Sequence, residues 1–168
     1  MATAQDPNKR AQAGKYLTFK LADETFGIDV LKAQEIVRML KVTRVPRAPE
    51  FVRGVVNLRG KVIPVLDLRR KFGLPPVDDG ERTCIVVTQI TSSQGETMAM
   101  GAIVDEVSDV LDIGDEQIEA VPAFGADVEA ELILGVGKLE NQVVLLLDID
   151  RLLSGTETVQ MSKLTEAK

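Results

Sequence analysis

The stretch Gly54–Phe72 reads GVVNLRGKVIPVLDLRRKF, and Gly135–Leu153 reads GVGKLENQVVLLLDIDRLL. Set against each other at a constant shift of 81, they agree at 7 of 19 positions without a gap. Average composition gives roughly one such agreement. The identities are Gly54/Gly135, Val55/Val136, Leu58/Leu139, Val62/Val143, Leu66/Leu147, Asp67/Asp148 and Arg70/Arg151. Each copy reads as a strand, a tight turn, a buried strand and a short helix. The aspartate before each helix is placed to accept hydrogen bonds from the free amides of the first turn. Helices are therefore expected at Asp67–Phe72, ended by Gly73, and at Asp148–Leu153, ended by Ser154-Gly155. A repeat of this kind predicts two pseudo-symmetric β subdomains of about 70 residues each.

Outside the repeat the dominant pattern is again short, apolar or alternating runs. Lys15–Leu21 alternates and Thr25–Val30 returns after a turn at Ala22–Glu24, which makes a hairpin. Thr83–Ile90, Thr97–Val104 and Gln142–Leu147 are further β-rich runs. Pro64 interrupts Lys61–Leu66, which argues for an edge or a bulge there. The fold class is mainly β, built as barrels or a sandwich. The ordered domain is expected over residues 15–153, between a disordered leader at 1–14 and a polar tail at 154–168. Its halves divide near Gly73–Gly80, at roughly 15–75 and 76–153, with the first strands free to cross into the other half.

Composition narrows the function. The chain has 168 residues, no histidine, no tryptophan, one cysteine and a net charge of −6. Without histidine there is no Ser-His or Cys-His nucleophile pair, no His-ligated zinc and no phospho-accepting imidazole. One cysteine allows no intrachain disulfide and no cysteine cluster, as suits a reducing cytoplasm. Scarce aromatics and net acidity argue against a nucleic-acid surface. No apolar run is long enough to span a membrane. Charge is unevenly spread: between Lys41 and Lys71 nine cations face Glu50 and Asp67, whereas Asp105–Gly137 holds ten acids and no Lys or Arg. That polarity suits steering of a charged partner or two solvated faces of opposite sign.

Tested motif by motif, chemistry finds little to stand on. Cys84 lies in an apolar strand pattern and reads as a buried, inert thiol. Gly135-Val136-Gly137 lacks the third glycine of a dinucleotide loop, where Glu140 stands, and Gly60-Lys61 is followed by Val62 rather than a phosphate-loop hydroxyl. Asp109, Asp112, Asp115 and Glu116 lack the glycine of a calcium loop. No catalytic residue, metal or cofactor is implied. Glu35 between apolar positions and Arg59 at a turn are of interest as a pair, although spacing alone reads them as two unrelated surface charges.

The segments Tyr16–Leu21, FGIDV at 26–30, QEI at 34–36, RGVVNLRG at 53–60 and IPVLDLR at 63–69 together resemble the CheW family of bacterial chemotaxis. VDEVSDVL at 104–111 also looks like the family, and the similarity runs from about Tyr16 to Leu153. The resemblance implies two intertwined five-stranded, SH3-like β-barrels. It also implies a non-enzymatic adaptor that links methyl-accepting chemoreceptors to the histidine kinase CheA. Carried over by motif position, a receptor-binding groove between the subdomains would involve Val30, Glu35, Ile36, Arg59, Gly60, Val104 and Val107. Glu35 and Arg59 match the family's paired acid and arginine, which reverses the reading from spacing alone. Contact with the CheA regulatory domain would involve Val42, Arg53 and Gly54. The implied protein is a cytoplasmic monomer when isolated, recruited to receptor arrays at the inner membrane without inserting into it. The same module in a gliding or pilus pathway, or a detached kinase regulatory domain, is the alternative.

Overall fold

The computed structural model describes residues 11–75, 77–91, 95–120 and 132–153. The expected tail at 154–168, the segment Gly125–Glu131 and the first ten residues of the expected leader lie outside the described residues. The rest of that leader is built into the fold: Ala11 is buried, and its N–H donates to the Leu134 carbonyl at 3.1 Å.

The repeat supplies the frame. Strands β4 (Val52–Leu58) and β5 (Lys61–Asp67) pair antiparallel and lead into helix α1 (Leu68–Lys71). Strands β10 (Ile133–Leu139) and β11 (Gln142–Leu147) do the same before helix α2 (Ile149–Leu153). The shift of 81 survives in atomic detail. Val52 faces Leu66 and Ile133 faces Leu147, with a bulge one step later, before Gly54 and before Gly135. The Asp67 N–H donates to the Phe51 carbonyl and the Asp148 N–H to that of Leu132. Asp67 then accepts from the Arg69 and Arg70 amides, and Asp148 from the Arg151 amide, so both expected caps are in place.

Each half also begins with a hairpin and one more strand. In the first half these are β1 (Gly14–Leu21), β2 (Glu24–Asp29) and β3 (Ala33–Arg38), with a single 3-10 turn at Val30–Lys32 before β3. In the second half they are β6 (Cys84–Thr91), β7 (Thr97–Val104) and β8 (Glu106–Ile113), followed by the two-residue β9 (Ile118–Glu119). One sheet runs β3-β6-β7-β5-β4 and the other β8-β1-β2-β11-β10-β9. Each half therefore lends its opening hairpin to the sheet of the other. A cut between residues 75 and 76 passes through both sheets.

The two orders match strand for strand. β9 lies beside β10, where Glu119 pairs with Val136. Thr43 lies beside β4, where it exchanges two backbone hydrogen bonds with Val55, at 2.8 and 2.9 Å. Both return the chain to the free edge of a sheet and curl it into a small SH3-like barrel. Gly101 faces Val65 and Gly27 faces Leu146 where the lent hairpins join in parallel. A Cβ at Gly101 would lie 2.6 Å from Ile85 Cγ2, so only glycine lets these strands meet.

Pro64 sits within β5, which is internal rather than an edge. It faces Val55, whose N–H and C=O are already bonded to Thr43, so this pair needs no amide from the proline. The parallel ladder to β7 begins only at Val65. The bulge belongs to the partner strand β4.

Val56, Ile63, Val65, Ile85, Val87 and Ile103 fill the first barrel. Tyr16, Ile113, Ile118, Val144 and Leu146 fill the second. A larger shared core between them takes Leu17, Phe19, Phe26, Val86, Met100, Val104, Leu68 and Leu152. Phe26 stacks on Phe19 and on Phe72 with ring centroids at 6.0 and 5.4 Å. Each large side chain fully withdrawn from water contributes about 1.5–3 kcal/mol, which makes the shared core the main bond between the barrels.

Candidate functional site

The chain crosses from one sheet to the other at two places, and the residues expected in the groove lie around them. After β2 the crossing is the turn Val30–Lys32; after β7 it is the corner at Asp105. Val30 and Val104 hold equivalent positions at these crossings, 74 residues apart, as do Gly27 and Gly101 in the hairpins. Their exposure differs. Val30 is half-buried, whereas Val104 is 1% exposed and belongs to the shared core. The side chain of Val104 therefore offers no surface to a partner. Val107 is half-buried in β8, opposite Phe19.

On β3, Gln34, Ile36 and Arg38 are exposed while Ala33, Glu35 and Val37 are half-buried. Glu35 and Ile36 thus project from opposite faces of one strand. Ile36 is 47% exposed and shares its face with Val86, a member of the shared core, which puts it at the lip between the barrels. Glu35 shares its face with Val37, which packs on the core of the first barrel. Arg59 and Gly60 form the two-residue turn between β4 and β5, with φ of +53° and +88°. Positive φ at both positions is the turn geometry that matches strand twist, and at a non-glycine it costs about 1 kcal/mol. Asn57 Oδ1 braces the turn by accepting the Gly60 N–H at 2.7 Å.

From this turn Arg59 donates to Glu35, so the two charges that spacing alone left unrelated are an ion pair. Arg59 is 67% exposed, and so open a pair stabilises the fold by less than about 1 kcal/mol. The repeat puts Glu140 where Arg59 stands. Strand register puts Val110 where Ile36 stands and so Asp109 where Glu35 stands. The second barrel has two acids at the equivalent place. The Glu35–Arg59 pair is a departure from the internal symmetry.

Val42, Arg53 and Gly54 also come together, at the seam where Thr43 closes the first barrel. Gly54 has φ of +148°, and a Cβ there would lie 2.2 Å from the Thr43 oxygen and 2.8 Å from Val42 Cγ1. Gly54 is therefore required by the closure itself. Arg53 donates to Asp67 at 3.0 Å and to both carboxylate oxygens of Asp79 at 3.2 Å. Burial alone would lower its pKa, but Asp79 and Asp67 outweigh that and hold it above the ordinary value. Arg53, Asp67 and Asp79 line a cleft of about 920 Å³.

Two features had no signal in the sequence. Leu31, next to Val30, is 86% exposed at the first crossing. Arg69 grips Asp105 at 2.7–3.0 Å, while Asp105 accepts the Ala22 N–H at 2.8 Å, which ties α1, the second crossing and the β1–β2 turn together. Burial alone would raise the Asp105 carboxyl, but these donors hold it below the usual carboxylate range. Cys84 is buried as expected. Burial pushes its thiol up, against the opposing pull of a hydrogen bond donated by the Val107 backbone.

The family model described as a CheW-like domain matches residues 15–157. The chain belongs to the CheW family. It is 41% identical over 143 residues to the chemotaxis protein CheW of Klebsiella aerogenes, covering 85% of this chain and 83% of that one. It is 32% identical over 142 residues to the chemotaxis protein CheW of Bacillus subtilis, covering 83% and 86%. Among solved structures, the scaffolding protein TtCheW of Thermoanaerobacter tengcongensis superposes with a TM-score of 0.74 at 29% identity, over 87% of this chain and 96% of that one. The paired barrels are thus the family fold, and the chain is a chemotaxis coupling adaptor. Among the described residues no helix is long and apolar enough to cross a membrane.

Proposed function

We propose that this protein binds the cytoplasmic tip of methyl-accepting chemoreceptors and the regulatory domain of CheA at the same time, without catalysing a reaction. The observation that carries this reading is the Glu35–Arg59 pair, set on the strand whose Ile36 reaches the lip between the barrels and absent from the pseudo-symmetric position. An exposed pair contributes little to stability, so its use lies in recognition. The receptor's helical hairpin would lay its apolar stripe along Val30, Ile36 and Val107, with the charged pair and the turn at Gly60 setting its orientation. The kinase would meet the seam of the first barrel, where Arg53 presents its side chain and Val42 and Gly54 shape the backbone. Such a protein works from the cytoplasm, as a monomer until receptors recruit it into arrays.

Arg59→Glu tests the groove. It places a second acid beside Glu35 on an exposed turn, and like charges in contact disfavour docking strongly. Pull-down with a receptor cytoplasmic fragment is expected to show affinity reduced by about tenfold or more, with circular dichroism unchanged. Native circular dichroism with unchanged affinity would sink the groove assignment. Reconstitution with receptor and CheA tests coupling itself: omission of the protein should change kinase autophosphorylation.

A further inference from the structure

The cleft beside β4 carries a contact that neither the receptor groove nor the barrel closure uses. Arg44, Arg53 and Arg70 line it, together with Glu50, Asp67 and the connection at Val77–Asp79. The two carboxylates on Arg53 are not alike. Asp67 is 8% exposed, caps α1 through the Arg69 and Arg70 amides, and is fixed by the fold. Asp79 comes from the connection between the halves, and among the described residues its side chain bonds only to Arg53. Arg44 is exposed and forms no ion pair among the described residues, and Arg70 reaches Glu50 only loosely, at 3.5 Å. Without Asp78 and Asp79 the lining would hold three cations against two acids, Glu50 and Asp67.

We propose that this cleft is a binding site for an acidic protein segment, and that Val77–Asp79 occupies it as a tethered stand-in. A partner segment bearing carboxylates displaces Asp79 from Arg53 and engages Arg44 with a second acid. Asp67 keeps the Arg53 guanidinium in position when Asp79 leaves, so the incoming carboxylate meets a fork already aimed at it. The tether competes at high local concentration and lowers the apparent affinity of any free segment. For the identity of the partner, though not for the site, the inference rests on the kinase contact proposed at Arg53.

The probe is a synthetic peptide of residues 77–81, titrated into the isotope-labelled full-length chain while amide and guanidinium signals are followed by NMR. Asp79→Asn is expected to bind it about tenfold more tightly than the unaltered protein, with shifts confined to the surroundings of Arg44, Arg53 and Arg70. Adding Arg44→Gln to Asp79→Asn should weaken that binding, as should salt. Equal binding by the unaltered protein and Asp79→Asn, absence of binding to both, or shifts mapping elsewhere would overturn the proposal. CheA binding is measured on the same variants. Peptide capture with CheA affinity unchanged throughout keeps the cleft and removes the kinase from it. CheA affinity lost in Arg44→Gln without peptide capture removes the acidic-segment site and keeps the kinase contact.

Discussion

Gly54→Ala separates a partner contact from a requirement of the fold. The new Cβ would sit 2.2 Å from the Thr43 oxygen, so the segment before β4 must move away. Movement breaks the two hydrogen bonds between Thr43 and Val55, each with a net contribution of about 1 kcal/mol. Overpacking against Val42 adds about 1–3 kcal/mol, and alanine at a φ of +148° adds about 1 kcal/mol. The expected loss is about 4–6 kcal/mol, from a total that for single domains is about 5–15 kcal/mol. The melting temperature should fall by roughly 10–20 °C. Gly60→Ala is the control: φ is +88°, but nothing lies within 4 Å of its Cβ, so the loss is about 1 kcal/mol. Thermal and urea unfolding followed by circular dichroism give both numbers. If Gly54→Ala proves no less stable than Gly60→Ala, the closure of the first barrel does not depend on this glycine. If the loss appears, CheA binding lost in a Gly54 variant reports a damaged seam rather than a missing contact.

The remaining predictions concern two titratable groups. Asp105 has its carboxyl held below the usual range in the fold, so it stabilises fully above the unfolded value near about pH 4 and loses that contribution as pH falls further. Urea midpoints measured from about pH 6 to about pH 3 should decline less steeply in Asp105→Asn, and an identical acid limb would contradict the assignment. Cys84, with its thiol pushed up by burial, should react with an aromatic disulfide reagent far more slowly in the native protein than in urea. Equal rates would show that the thiol is open to solvent.

The repeat made the frame readable, because glycines, turns and capping aspartates recur at a fixed spacing with local physical reasons. β3 left a weaker trace. Ile36 points outward at the lip and Glu35 inward, so the alternation that marks a half-buried strand is inverted there. β8 is similarly obscured by acids and by the exposed Val110. The hairpin exchange had no local signature at all, since pairs such as Leu146 with Gly27 lie far apart in sequence. For the candidate site, spacing pointed to Glu35 and Arg59 without joining them, and the family resemblance joined them. Resemblance by position also included Val104, because a motif match carries no information about which side chains the shared core absorbs. Asp79 and Leu31 went unnoticed because polar connections and single leucines are common wherever strands turn.

The exchange of hairpins also sets an order of construction during synthesis. The first barrel takes its last strand, β7, when the chain has reached Val104. The β1–β2 hairpin leaves the ribosome first, yet β2 cannot gain its neighbour β11 until residues up to Leu147 have been made. Through that interval an apolar ribbon carrying Leu17, Phe19 and Phe26 waits with an unpaired edge, the state in which nascent β-chains are prone to aggregate. The second barrel, and the junction at which receptors are proposed to dock, are therefore the last parts of the molecule to come into existence.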